Sequence, residues 1–148
     1  MIDENLLMTF KHPARLDFWS EEKVRYQDMD ANGHINNVAY LSYVEGARLE
    51  YRASIVSRFP DVAWGAWVIA ASAIRFLSVG HYPGQIRIGV APIHIGRTSF
   101  SLGYGLFQGD NCVAVSGSRS VHVDRETGDP VELPDEFRRI FADAVDAS

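Results

Sequence analysis

Between Tyr40 and Ile55 apolar residues return at steps of three and four: Tyr40, Leu41, Val44, Ala47, Tyr51 and Ile55 share one face of a helix, and no other segment of comparable length carries that period. A chain with one long amphipathic helix must bury it against something other than a second long helix. The C-terminal half of the chain supplies the partner. From Trp67 onward, β-branched and aromatic runs at 67 to 77, 85 to 95, 98 to 108 and 112 to 124 are separated by turn residues and read as four strands. Ser78 to Gly84 forms the first connection, Gly96-Arg97 the second, and Gly109-Asp110-Asn111 a hairpin; connections this short predict antiparallel neighbours. In the third run Phe100, Leu102, Tyr104 and Leu106 alternate with Ser99, Ser101, Gly103 and Gly105, leaving one face bulky and the other flat enough to accept a helix or a ligand. Pro92 removes a ladder donor and marks a bulge or an edge.

The helix has defined ends. Asn36 or Asn37 provides the N-cap, its short side chain accepting an N–H of the first turn, and Pro60 after Phe59 stops it. Gly46 costs about 1 kcal/mol against Ala in mid-helix, a cost expected where a neighbouring backbone comes close. Residues 1 to 16 show no sustained period and read as an irregular lead-in. A strand precedes the helix between Leu16 and Tyr26, firmest from Lys23 to Gln27. After the turn Arg125 to Pro130, Pro134-Asp-Glu followed by Phe137, Ile140, Phe141 and Ala144 predicts a C-terminal helix with acids in its first turn.

At 148 residues the chain fits one domain, 1–148, that buries roughly two thirds of its unfolded surface. A formal charge of -5 disfavours binding nucleic acid through a general basic surface. Cys112 alone permits no internal disulfide and reads as a buried strand thiol. The acidic N-terminal residues and the lack of any apolar run of about 18 residues predict a cytoplasmic protein with no membrane partner.

Between strand and helix, Gln27-Asp-Met-Asp-Ala-Asn-Gly-His-Ile-Asn-Asn37 concentrates two carboxylates, three amides among its last six residues and an imidazole around one glycine. Asp and Asn also favour turns by bonding their own backbone, so the residues alone leave Asp30, Asn32 and Gly33 open as turn formers and His34 as a structural hydrogen-bonding residue. The five histidines have no metal-ligand spacing, and no Gly-x-Ser-x-Gly, Walker or dinucleotide pattern occurs.

The run Val24-Arg-Tyr-Gln-Asp-Met-Asp-Ala-Asn-Gly-His-Ile-Asn-Asn-Val-Ala-Tyr-Leu-Ser-Tyr-Val-Glu-Gly-Ala-Arg48 resembles the signature of hotdog acyl-CoA thioesterases of the 4-hydroxybenzoyl-CoA thioesterase type. The resemblance continues through Ile74-Arg-Phe-Leu, Tyr82-Pro-Gly-Gln-Ile, Ile95-Gly-Arg-Thr-Ser99 and Val121-His-Val-Asp124, covering residues 20 to 143 or so. It implies an α+β hotdog domain in which an antiparallel sheet of about five strands wraps the long helix. It implies an enzyme hydrolysing an acyl-CoA to free acid and CoA without cofactor or metal, with Asp30 as nucleophile or general base. The backbone N–H groups of Asn36 and Asn37 are then expected to receive the thioester oxygen, since a helix N-terminus offers unpaired donors and about half a positive charge.

Asp30-Ala-Asn32-Gly-His34 also resembles the Asp-x-Asn-x-His of acyl-carrier-protein thioesterases, which implies assisting roles for Asn32 and His34 and keeps carrier-protein thioesters as an alternative substrate. Arg97 and Ser99 resemble positions near which relatives hold CoA phosphates or pantetheine, an exposed turn being the alternative. Tyr26 and Glu45 are further candidates for substrate contact; otherwise Tyr26, like Tyr40, is a core aromatic and Glu45 pairs with Arg48. Trp64, Trp67 and Phe76 are candidates for lining the acyl pocket. The resemblance further implies a homodimer with a continuous sheet, or a dimer of dimers, with active sites between subunits. A non-catalytic acyl-CoA-binding module on the same fold stays open, while the paired histidine and acid of a hydratase is not the pattern present.

Overall fold

The computed structural model describes residues 2–146. A short helix α1 (Glu4–Thr9) and a 3-10 turn, Pro13–Arg15, lead into β1 (Phe18–Lys23); a second 3-10 turn, Tyr26–Asp28, precedes α2 (Asn37–Arg58). Then come β2 (Ala66–Phe76), β3 (Gln85–Ile95), β4 (Ser99–Gln108), β5 (Asn111–Val123) and α3 (Asp135–Asp146). The strands form one antiparallel sheet in the order β1-β3-β4-β5-β2. With α2 on its inner face this is the hotdog architecture.

Asn36 caps α2, its side chain accepting the Val38 N–H at 3.1 Å. The buried face is Tyr40, Tyr43, Val44, Ala47, Tyr51 and Ile55; Leu41 points out, 43% exposed, and Tyr43 takes the inward place. These residues pack on Ile86, Ile88, Val90, Phe100, Leu102, Tyr104 and Leu106. An aromatic cluster of Trp67, Phe100, Phe137 and Phe141, with ring centroids 4.6 to 6.2 Å apart, joins α3 to the same core.

Four expectations need correction. The lead-in is not irregular: Asp3 caps α1, and Leu7, Phe10 and Leu16 cover one face of the sheet, Phe10 and Leu16 over Gly103 and Gly105 and Leu7 over Gly117. The flat side of β4 is therefore occupied by the chain's own N-terminal helix. β1 ends at Lys23, and Tyr26 to Asp28 curls into a 3-10 turn instead of continuing the strand, because Asp28 accepts the Arg25 N–H and folds the chain back. β2 and β3 are consecutive but not paired: β2 crosses to the far edge beside β5, so the Ser78 to Gly84 connection spans the sheet. Gly46 faces the Glu22 side chain, not a neighbouring backbone. Pro92 lies at a bulge, where the β3–β4 register shifts before His94.

Candidate active site

The loop before α2 is held by backbone bonds. The Asp30 N–H donates to the His34 carbonyl at 2.9 Å, and the Gly33 N–H donates back to Asp30 at 3.1 Å. Closing so small a ring needs a left-handed residue, which Gly33 supplies with φ 75°. The Asn32 N–H donates to Asp30 Oδ1 at 2.9 Å. One carboxylate oxygen of Asp30 is thus fixed by its own turn and the other has no hydrogen-bond partner among the described residues, so the turn-forming reading does not exclude the reactive one.

Asp28 has the structural part. Its Oδ2 accepts the Tyr43 hydroxyl at 2.8 Å and the Arg25 N–H at 2.9 Å, and its carbonyl accepts the Asn36 N–H at 2.8 Å. Burial, then the bond and the charge of Asp28, push the Tyr43 phenol far above its ordinary range, so it remains a donor. The Asn36 contact matters for the oxyanion expectation. Because its N–H is already given to Asp28, Asn36 serves as cap, and Asn37 is left with an N–H that has no acceptor among the described residues.

Asp30, Asn32, His34 and Asn37 border one cavity of about 340 Å³, which is also lined by Ile35, Tyr40, Phe76 at the end of β2 and Leu77 to Val79 just beyond it. Tyr40, 2% exposed, leans on Phe76 with ring centroids 5.5 Å apart. Its hydroxyl has no hydrogen-bond partner among the described residues. Burial raises its pKa, and the Gly80 backbone offsets this in part.

The remaining sequence candidates lie apart from this cavity. Arg97 and Ser99 occupy the β3–β4 turn, where the Arg97 guanidinium stands 3.6 Å from Glu132 and its carbonyl accepts from Leu133 and Arg138. Tyr26 is not a core aromatic: it is 78% exposed and meets Tyr82 edge-on at 5.7 Å. Glu45 faces a second hollow with Arg48, and no ion pair joins the two among the described residues. Trp64 and Trp67 belong to the aromatic core near α3, whereas Phe76 does reach the Asp30 cavity.

The sequence reading missed the part played by the Ser78 to Gly84 connection. Gly80 accepts the Ile35 N–H at 2.9 Å, Gly84 accepts the Val24 N–H, and the His81 ring stands 5.6 Å from that of His34. Gln108 grips the His81 backbone through both its N–H and its carbonyl. The one available signal was a seven-residue connection dense in Gly, His, Tyr and Pro, longer than a hairpin requires.

The family model described as the thioesterase-like superfamily matches residues 24–141. The chain belongs to that superfamily. Solved structures agree with this membership in fold. A Pseudomonas aeruginosa strain PAO1 protein superposes with a TM-score of 0.78 at 22% identity, covering 88% of this chain and 93% of its own. A Thermus thermophilus thioesterase complexed with coenzyme A and zinc gives 0.72 at 26% identity, covering 84% and 96%. A Staphylococcus aureus DHNA-CoA thioesterase gives 0.76 at 15% identity, covering 88% and 94%. None of the curated proteins compared matches the chain in sequence. No helix among the described residues is long and apolar enough to cross a membrane.

Proposed function

We propose that this protein is an acyl-CoA thioesterase in which Asp30 acts on the thioester carbonyl and the Asn37 N–H receives the charge that develops on its oxygen. The observation that carries the reading is the shared cavity: Asp30, with one carboxylate oxygen unspent, and Asn37, with its amide unspent among the described residues, border the same 340 Å³ space. Direct attack expels CoA thiolate and leaves an anhydride on Asp30 for water to cleave; general-base action delivers water in one step. Both give free acid and CoA, and both need an ionised carboxylate. Asn32 and His34 stand on the same rim, where an amide and an imidazole orient water and carry protons. Coenzyme A in the Thermus thermophilus thioesterase supports CoA as the thiol carrier.

The working form is a homodimer. β2 ends the sheet with one side of its ladder unpaired, and Val68, Ile69 and Phe76 are exposed along it. An open edge of eleven residues beside apolar surface is a liability that pairing with a second copy removes. The cavity opens at the Phe76 end of this edge, so the second subunit completes its wall.

Replacing Asp30 by Asn tests the assignment. The Asn side-chain oxygen still accepts the Asn32 N–H, so melting should be unchanged, while thiol release from an acyl-CoA panel should fall by about 10²- to 10⁴-fold. Wild-type turnover in that variant would remove Asp30 from the chemistry.

A further inference from the structure

The opposite end of β2 carries a second hollow, of about 430 Å³. Glu45, Arg48, Leu49 and Arg52 follow one another at helical spacing along α2 and face Ala66–Ile69 across it, with Arg125 from the end of β5. Three guanidinium groups therefore meet one carboxylate in a chain whose net charge is -5. Among the described residues none of the three is in an ion pair. Arg52 is held in place, donating to the Gly65 carbonyl at 2.8 Å and standing 5.5 Å over the Trp67 ring, with its remaining donors unused. Burial, and then the charge of Arg125, weaken its hold on its proton. Three gathered cations against the single Glu45 carboxylate leave an excess of positive charge, which matches an anionic ligand.

The two hollows are related through the edge strand. A two-fold axis pairing β2 with its own copy leaves every residue from Ala66 to Phe76 paired only when centred on Ala71. Ala66 then lies opposite Phe76 of the partner subunit. The Asp30 cavity includes Phe76 in its lining and the arginine hollow includes Ala66, so in that arrangement the cavity of one subunit lies beside the arginine hollow of the other. We propose that Arg48, Arg52 and Arg125 bind the anionic end of the substrate attacked by the opposite subunit's Asp30. This rests on the thioesterase reading and on its strand-paired dimer. The anion is either a phosphate of CoA or a carboxylate at the far end of the acyl group.

The test uses the full-length chain with Arg48→Ala and Arg125→Ala combined, leaving Arg52 to hold Gly65; Arg125→Glu alone serves if the double variant does not fold. Binding of CoA is measured by calorimetry, and KM is measured for glutaryl-CoA and pentanoyl-CoA. Loss of guanidinium contacts is expected to weaken binding about tenfold or more. If phosphates are the ligand, CoA and both thioesters weaken together; if the acyl carboxylate is, glutaryl-CoA alone weakens. No change in any of the three overturns the proposal. The cross-subunit arrangement is read from a tagged heterodimer of Asp30→Asn with the arginine variant. Its one Asp30 faces intact arginines, so wild-type KM at half the wild-type kcat is expected, and a weakened KM overturns it.

Should the wild type hydrolyse no thioester, the thioesterase reading fails while binding still decides the arginines. The geometry is then read from Ala71→Lys, which sets like charges against each other at the two-fold centre; a monomer that retains full binding overturns the cross-subunit site.

Discussion

Replacing His122 by leucine should destabilise the protein severely while touching nothing in the Asp30 cavity. The imidazole is 3% exposed. The Gly65 N–H donates into its Nε2 at 2.9 Å, so that nitrogen is the bare one and the proton sits on Nδ1, aimed at the Glu132 carbonyl at 3.0 Å. One ring thereby ties the start of β2 to the segment that leads into α3. Leucine supplies neither donor nor acceptor, and both stranded groups are backbone atoms that the mutation cannot remove. At about 1–3 kcal/mol for each unsatisfied group, the loss is about 2–6 kcal/mol, a large share of the roughly 5–15 kcal/mol that holds a domain together. Urea denaturation followed by tryptophan fluorescence measures it. A midpoint within the error of wild type, at unchanged m-value, would refute the hydrogen-bond argument, since packing alone is nearly conserved in this exchange.

Three further outcomes are expected. Gly103→Ala would drive a methyl carbon into the Phe10 ring; α1 should lift from the sheet, read as earlier proteolysis of the N-terminal segment, and Phe10→Ala should restore its tolerance. Tyr40→Phe removes a buried hydroxyl without a partner and should be neutral or stabilising by about 1–2 kcal/mol, seen as an equal or higher melting temperature. The Asp124 carboxyl is held below its usual range by the N–H groups of Thr127 and then Glu126. A depressed acid contributes stability above its unfolded value of about 4 and loses it as pH falls through the lower folded value. Asp124→Asn should therefore lower the melting temperature at neutral pH and match wild type near pH 2.

The helix, the four later strands and the hairpin turns were legible because each follows from local periodicity and punctuation. Ser78 to Gly84 was misjudged for a physical reason: a short connection implies a neighbouring strand only if nothing better pairs with the first one, and β2 gains more from β5, where its register runs through ten pairs. α1 lay below the threshold of periodicity because six residues span fewer than two turns; its reason for being helical is the glycine-flattened sheet beneath it, a tertiary cause. Arg97 and Arg125 illustrate the limit for charged residues. Sequence shows a guanidinium in a turn but not its neighbours, and here Arg97 stands beside Glu132 while Arg125 stands beside two other arginines.

Within the polar loop itself, the division of labour explains why so many hydrogen-bonding groups are crowded together. A carboxylate positioned for chemistry must keep an oxygen free, and a helix amide positioned for an oxyanion must keep its proton free; neither can also hold the loop in shape. Asp28 and Asn36 take that task, the former gathering Tyr43, Arg25 and Asn36, the latter capping Val38. Asp28→Asn tests this division, because it keeps one oxygen for both donors but removes the charge that strengthens their bonds. Weaker bonds to Tyr43 and Arg25 should let the loop shift, so activity should fall through misplacement of Asp30 while the core, which lies beneath Tyr43 and not within the loop, keeps its melting temperature within a few degrees. Loss of global stability comparable to that of His122→Leu would show that Asp28 supports the fold and not the site.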